Sequence, residues 1–123
     1  MANKTINLLL AQNVYQMATQ VALHIFELSR AFPQGGPETT RSKLIRSSGN
    51  VCTLLSDAWQ NRNTRNVHLE KLKQASEKAT ATMDLIQEAL DFNFLDPRIA
   101  AVLNKGYQEI IDKITDMVTN IET

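Results

Sequence analysis

Apolar side chains recur every three or four residues along most of this chain, and no stretch alternates between apolar and polar residues with a period of two. A spacing of three and four residues aligns side chains on one face of an α-helix, whereas a half-buried strand needs strict alternation. The sequence therefore predicts an all-α protein.

Three short segments interrupt the periodic pattern and mark turns between helices. "FPQGGP", residues 32–37, contains two prolines and two glycines, which cannot continue a helix. "NRNT", residues 61–64, is polar and ends in Thr64, a suitable N-cap residue, and Asp96 followed by Pro97 forms another helix start. These breaks predict four helices, at about residues 5–32, 38–60, 65–92 and 97–121.

The short links between the helices decide how the helices are arranged. Links of only a few residues force successive helices to lie antiparallel. The four helices also match in length, at roughly 35 to 43 Å each. A chain of 123 residues can form one core without disulfides or metal ions. We therefore predict a single domain, residues 1–123, folded as an up-and-down four-helix bundle.

Each predicted helix has one apolar stripe that we expect to face the bundle core. The stripe of the third helix alternates strictly between gaps of three and four residues, which is the spacing of coiled-coil-like packing. The four stripes are Leu10, Val14, Met17, Val21, Ile25, Leu28 and Phe32; Leu44, Ser48, Val51, Leu55 and Ala58; Leu69, Leu72, Ser76, Ala79, Met83, Ile86 and Leu90; and Ile99, Leu103, Gly106, Ile110, Ile114, Met117 and Ile121.

The second helix is built largely from small residues, including Ser47, Ser48, Gly49, Thr53 and Ser56. These residues are weak helix formers, but their small side chains let helix axes approach closely. We therefore predict that tight packing holds this helix, inside the subunit or between subunits.

The apolar faces of the first and fourth helices are wider than one bundle core requires. Ile110 and Ile111 point in different directions, so a monomer would leave one of them solvated. An oligomer would bury both, and we predict self-association on this ground. A wide core within a monomer is the alternative that the sequence leaves open.

Bulk composition excludes several classes of protein. Thirteen basic and thirteen acidic side chains cancel, so net charge predicts no nucleic-acid or membrane partner, although a local basic patch remains compatible with it. A single cysteine suits a reducing compartment. The chain has no signal-peptide core and no apolar run long enough to span a bilayer. We predict a cytoplasmic protein with no membrane partner.

Residue types that carry chemistry are present without the partners that they need. His24 and Glu27 reverse the Glu-x-x-His order of di-iron bundles, and Cys52 has no local base to activate it. We therefore predict no catalytic residue, no metal, no cofactor and no enzymatic activity. Cys52 is expected to be a small core residue, His24 to lie at the bundle edge and His68 on the surface. Trp59 is expected to pack within the bundle, with a role as a partner anchor as the alternative.

Charge is unevenly distributed along the chain. Residues 41–83 hold eight basic and three acidic side chains, whereas residues 84–123 hold three and eight. One interpretation is that these charges complement one another or are simply solvated. The other is a basic zone around the turn between the second and third helices that attracts RNA or DNA phosphates. Its members would be Lys43, Arg46, Arg62, Arg65 and Lys71.

The order of three segments resembles a known family. They are "VYQMATQVALHIFELSRAFP", "SKLIRSSGNVCTLLSDAW" and "RNVHLEKLKQASEKATATMDLIQEALDFNFL". Tyr15, Ala18, Ala22 and the Phe-Pro step at residues 32–33 match the pattern of the first helix in proteins encoded by intervening sequences of bacterial 23S ribosomal RNA genes. The resemblance extends from about Val14 to the C-terminus. It implies a left-handed up-and-down bundle assembled as a homopentamer.

Two functions are compatible with these observations. We predict a non-enzymatic, homo-oligomeric scaffold or adaptor that acts through protein contacts. The alternative is an accessory protein that binds RNA or DNA through the basic zone. A distant branch of the family is similar to the accessory variability determinant of diversity-generating retroelements, which implies a reverse transcriptase as the partner for that alternative.

Overall fold

The computed structural model describes the backbone of residues 2–122 and the side chains of residues 6–122. Those residues form four α-helices and no strand: α1 (Ala2–Ser29), α2 (Thr40–Gln60), α3 (Arg65–Asp91) and α4 (Pro97–Glu122). Each helix packs against the next one along the chain, and α4 packs against α1 to close the bundle. The predicted all-α class and four-helix bundle are confirmed.

The turn between α1 and α2 begins three residues before the predicted end of the first helix. The backbone N–H groups of Arg30, Ala31 and Phe32 each donate to the carbonyl three residues earlier, so the chain tightens after Ser29 and α1 ends there. Phe32 is nevertheless buried in the core, as the sequence predicted.

Side-chain caps begin two of the helices. The Thr39 hydroxyl accepts a hydrogen bond from the Ser42 N–H at 3.2 Å and begins α2. The Asp96 carboxylate accepts from the Arg98 N–H at 2.7 Å and begins α4. Thr64 is the N-cap residue of α3, as predicted, but its side chain makes no capping hydrogen bond.

The end of α3 turns the chain back over the core. Asn93 adopts a left-handed conformation with φ of 63°, and the N–H of Phe94 donates to the Ala89 carbonyl at 2.8 Å. This is the hydrogen-bond pattern of a Schellman motif, in which asparagine tolerates the left-handed position. The turn places the Phe94 ring 5.4 Å from the Phe32 ring, which packs the 3–4 link against the 1–2 link.

Leu72, Ala79 and Ile86 of α3 are buried as predicted, but the other core positions of this helix lie one residue earlier than predicted. Small residues and a threonine lie at its centre, because they allow α3 to approach the small side chains of α2. Leu69, Ser76, Met83 and Leu90, predicted as core, are only half-buried beside them. The fully buried residues of α3 are His68, Leu72, Ala75, Ala79, Thr82, Ile86 and Ala89.

Close helix approach occurs at two places. Between α2 and α3, the hydroxyls of Ser47 and Thr82 lie 2.6 Å apart in the core. Between α1 and α4, a Cβ atom added to Gly106 would lie 3.1 Å from Cγ2 of Val21. Gly49 faces open space, so within the subunit it contributes nothing to the tight packing predicted for α2.

Candidate functional site

The predicted basic zone is divided between opposite ends of α2. Lys43 and Arg46 lie in its first two turns, whereas Arg62 and Arg65 flank the 2–3 turn. Lys43 lies seventeen residues before Gln60, the last residue of α2, which corresponds to about 25 Å along the axis, and Arg62 lies beyond that end. The expectation that Arg62 and Arg65 lie near Lys43 and Arg46 was therefore wrong, although the binding role itself stays a prediction.

Lys43 and Arg46 already have partners within the subunit. The Lys43 ammonium lies 3.3 Å from the Glu88 carboxylate, which also accepts a hydrogen bond from the Thr40 hydroxyl at 2.6 Å. The Thr40 hydrogen bond is the main reason that the pKa of Glu88 lies below its usual value, and Lys43 adds to it. Arg46 donates to the Pro37 carbonyl at 3.1 Å. These contacts stabilise the 1–2 link against α2 and α3.

The outer groove between α2 and α3 carries both signs of charge. Lys43, Arg46 and Lys78 line it together with Asp84 and Glu88. Lys71 is half-buried and lies seven residues, two helical turns, before Lys78 on the same face of α3. Mixed charge along this groove fits the interpretation that the basic side chains complement neighbouring acidic ones.

Arg62 and Arg65 remain exposed at the 2–3 turn. The Arg62 guanidinium lies over the Trp59 ring, 4.4 Å from its centroid, and donates to the Trp59 carbonyl at 3.0 Å. The stacking fixes both side chains in a cation–π pair. Because Thr64 makes no side-chain cap, the first N–H groups of α3 lie beside these two arginines without that partner.

A cleft with a volume of about 280 Å³ opens between α1 and α2 near the same end of the bundle. We call it the Trp59 cleft. Its walls are mostly apolar, and it is open to solvent on one side. Its lining residues are Ala11, Gln12, Val14, Tyr15, Leu55, Ser56, Ala58, Trp59, His68, Leu72 and Met117.

His68 is buried in this cleft rather than exposed, so the surface position predicted for it was wrong. Its side chain is 7% exposed, and Nδ1 lies 2.7 Å from the Ala58 carbonyl oxygen. The carbonyl can only accept, so Nδ1 carries the hydrogen and the neutral ring has an unprotonated Nε2. This contact could not be predicted from the sequence, because its acceptor is a backbone atom of the preceding helix.

Two polar side chains meet inside the bundle without forming a reactive pair. Cys52 is half-buried, and burial raises the pKa of its thiol, an effect that the Thr19 hydroxyl partly offsets. Tyr107 is fully buried, its hydroxyl has no hydrogen-bond partner among the described residues, and burial raises its pKa. Raised pKa values keep both groups neutral and unreactive at neutral pH.

The outer face of α1 carries exposed apolar side chains and no charge over most of its length. Residues 5–26 contain no Asp, Glu, Lys or Arg, a pattern that is visible in the sequence alone. Leu9 and Leu23 are each 61% exposed, and Gln16 lies midway between them on the same face. Ile110 and Ile111, from which self-association was predicted, are less exposed than these leucines. Ile110 is buried and Ile111 is half-buried.

The described residues contain neither a metal-ion cluster nor a membrane-spanning helix. No cluster of three or more His, Cys, Asp or Glu side chains in residues 6–122 is arranged to hold a metal ion. None of the four helices, over the same part of the chain, combines the length and apolar character needed to cross a membrane.

Comparison with known proteins agrees with the fold and with the sequence resemblance. No curated protein sequence matches this chain. A crystal structure of a protein of unknown function from the S23 ribosomal protein family of Bacteroides thetaiotaomicron superposes with a TM-score of 0.80 at 16% identity, over 89% of this chain and 98% of that one. The profile of the 23S rRNA-intervening sequence proteins matches residues 11–116. This chain therefore belongs to the family of 23S rRNA-intervening sequence proteins.

Proposed function

We propose that the protein is a non-enzymatic, cytoplasmic scaffold or adaptor that assembles from identical subunits through the outer face of α1. The observation that carries the proposal is the uncharged surface of α1 with Leu9 and Leu23 exposed on it. Large apolar side chains on a face without charges favour protein contact over solvation.

Other exposed apolar residues extend this surface. On the α2 side of α1, Tyr15 and Phe26 are exposed, and at the start of α4, Val102 is 65% exposed. Glutamines rather than charges lie among the leucines of α1, so burial of this face in an interface would desolvate no ionised group. Five copies, the number implied by the family resemblance, form the assembly in this proposal.

Measurement of mass in solution tests this proposal directly. Light scattering coupled to size exclusion should give five times the 13.8 kDa subunit mass, and the Leu9→Glu/Leu23→Glu double variant should give the subunit mass. The double variant places carboxylates where the interface would bury them, which costs several kcal/mol per uncompensated charge.

A matched variant separates this effect from a general effect of added charge. Thr53→Glu/Thr80→Glu adds the same two charges at exposed positions of α2 and α3 and should leave the mass unchanged. A wild-type mass of 13.8 kDa at all concentrations would overturn the assembly. An unchanged mass for the α1 variant would overturn the assignment of the face.

A second candidate function is that of an accessory protein bound to RNA or DNA. Arg62 and Arg65 favour it, because both are exposed beside the N-terminus of α3, where N–H groups and the helix dipole attract phosphate. Lys43, Arg46 and Lys71 are not part of this arrangement. In this function a reverse transcriptase is the protein partner suggested by the resemblance.

Salt-dependent binding distinguishes the second function from the first. An RNA oligonucleotide should bind at low salt, and replacement of Arg62 and Arg65 by alanine should reduce the slope of log K against log[salt] by about two. The Lys43→Ala/Arg46→Ala variant is the matched control and should reduce it less. Protein that binds no RNA at low salt contradicts this function.

A further inference from the structure

The Trp59 cleft has the size of an aromatic ligand. A cavity of about 150 Å³ is enough to hold a benzene ring. The Trp59 cleft, at about 280 Å³, therefore has room for a molecule of one or two rings. Its floor includes Val14, Leu55 and Leu72, and the rings of Tyr15 and Trp59 border it. Apolar clefts between the helices of a bundle, bordered by aromatic rings, are typical ligand sites.

One polar atom distinguishes this cleft from a simple packing defect. Nδ1 of His68 is occupied by the Ala58 carbonyl, whereas Nε2 has no hydrogen-bond partner among the described residues. In the neutral ring Nε2 is an acceptor, because the hydrogen is on Nδ1. The His68 side chain is 7% exposed, so a donor that enters the cleft would replace solvent at Nε2 within a mostly apolar lining.

The wall of the cleft is held in place before any ligand arrives. Arg62 stacks on the Trp59 ring and donates to the Trp59 carbonyl, so the indole has little freedom to rotate. His68 is held in the same way by its bond to Ala58. Because these walls are already ordered, the site loses less conformational entropy when a ligand binds.

We propose that the Trp59 cleft binds a small aromatic molecule that carries a hydroxyl or N–H donor, such as a phenol or an indole. The ring lies against Tyr15 and Trp59, and the donor bonds to Nε2 of His68. This site borders the assembly face at Tyr15, but it requires neither Leu9 nor Leu23.

Matched probes test the two parts of the proposal. 4-Fluorophenol carries the donor, whereas 4-fluoroanisole has nearly the same shape without it. Binding is followed by ¹⁹F NMR and by quenching of Trp59, the only tryptophan in the chain. We expect saturable binding of both probes, with 4-fluorophenol tighter on the order of tenfold, because a hydrogen bond to a buried acceptor has about that effect.

Two variants assign the effect to the cleft. His68→Phe keeps the aromatic volume but removes the acceptor, so the two probes should bind equally. Ala11→Leu fills the cleft and should abolish binding of both probes, while Ala101→Leu on the exposed side of α4 should leave both affinities unchanged. Thermal melting of each variant confirms that it is folded.

The proposal is overturned by any of four results. They are no saturable binding to the wild type, equal affinity for the two probes, a phenol preference that survives in His68→Phe, and unchanged binding by Ala11→Leu. The last variant keeps the His68 contact intact, so the proposal remains testable even if His68→Phe does not fold.

Discussion

The two long seams of the bundle differ in what holds them together. The α2–α3 seam has hydroxyls in its core, with Ser47 bonded to Thr82, and mixed charges along its outer groove. The α1–α4 seam has a glycine contact in its core, between Gly106 and Val21, and α1 has an outer face without charges. A buried hydroxyl pair holds the first seam in register. The second seam combines apolar packing with hydrogen bonds in which Asn7 of α1 donates to the Met117 carbonyl and accepts from Asn120 of α4.

This difference has a consequence for function. A surface of paired opposite charges is already satisfied in water, so the α2–α3 side has little to gain from a partner. An apolar, uncharged surface gains from being covered. The side of the bundle on which α1 presents an outer face without charges is therefore also the side to which we assign assembly.

Among the substitutions that test the difference between the two seams, the largest change in stability is expected at Gly106. Gly106→Leu would force side-chain atoms into the contact with Val21, where even a Cβ would lie at 3.1 Å, and should destabilise the protein by about 2 to 3 kcal/mol. Urea denaturation at a fixed protein concentration measures the loss, because stability of an oligomer depends on concentration.

Gly49→Leu is the matched control for this substitution. A Cβ at Gly49 meets no atom within 4 Å, so leucine should raise stability by roughly 0.5 to 1 kcal/mol through helix propensity alone. If both leucine variants behaved alike, close approach would not distinguish the α1–α4 seam. If Gly49→Leu lowered the mass in solution, α2 would also belong to the assembly interface.

The second prediction concerns the hydroxyl pair of the α2–α3 seam. Thr82 donates its hydrogen to the Lys78 carbonyl at 2.8 Å, so Ser47 must be the donor to Thr82. Thr82→Val leaves the Ser47 hydroxyl buried without an acceptor and should cost about 1 to 2 kcal/mol. Ser47→Ala leaves Thr82 bonded to Lys78 and should cost less.

The double variant checks this assignment of donor and acceptor. Adding Ser47→Ala to Thr82→Val removes the orphaned hydroxyl, so the double variant should recover part of the stability lost by Thr82→Val. Equal costs for the two single substitutions in urea denaturation would contradict the direction of the hydrogen bond. Additive costs in the double variant would show that the pair is not coupled.

The helices were predictable because their apolar spacing is long and regular, but the register of α3 was not. A count of apolar residues favours Leu69, Met83 and Leu90 over alanine and threonine at the centre of the stripe. The structure centres the stripe on Thr82 instead, because Ser47 of α2 offers it a hydrogen bond. Only knowledge of which residues face each other would have revealed that choice.

The candidate sites were predictable in unequal measure. The separation of Lys43 from Arg62 follows from helix length, and the uncharged run of residues 5–26 can be read directly, so both were within reach of the sequence. The burial of His68 was not, because it depends on the backbone carbonyl of Ala58 across a turn. Contacts between side chains and distant backbone atoms leave no periodic signal.

The third prediction concerns a substitution that should stabilise the protein, whereas substitution of the Ser47–Thr82 hydroxyl pair should destabilise it. Tyr107 presents a hydroxyl to the core that finds no partner among the described residues. Tyr107→Phe removes that hydroxyl without changing the ring and should stabilise the protein by about 1 kcal/mol. Tyr15→Phe, at an exposed position, is the matched control and should leave the melting temperature unchanged. A loss of stability for Tyr107→Phe would mean that a bound water or another unseen partner satisfies the hydroxyl.

The smallest change in stability is expected from substitution of Glu88, which lines the outer groove of the α2–α3 seam. The Thr40 hydrogen bond, with help from Lys43, holds the pKa of this carboxyl below its usual value. The unfolded chain therefore binds the proton more readily than the folded protein does. The stability that Glu88 contributes is present above the usual carboxyl pKa and is lost as the pH falls through the lower, folded value.

Glu88→Gln isolates this contribution from the rest of the acid transition. The side chain is 32% exposed, so the contribution is below about 1 kcal/mol. The variant should be slightly less stable than the wild type at pH 7, and the gap should narrow as the pH falls below the usual carboxyl pKa, as measured by urea denaturation at each pH. Glu77→Gln, at an exposed position of the same helix, is the matched control and should show no gap that closes on acidification. A gap that does not narrow as the pH is lowered from 7 would mean that the ionised form of Glu88 does not stabilise this seam, and the polar character assigned to it would then depend on the buried hydroxyls alone.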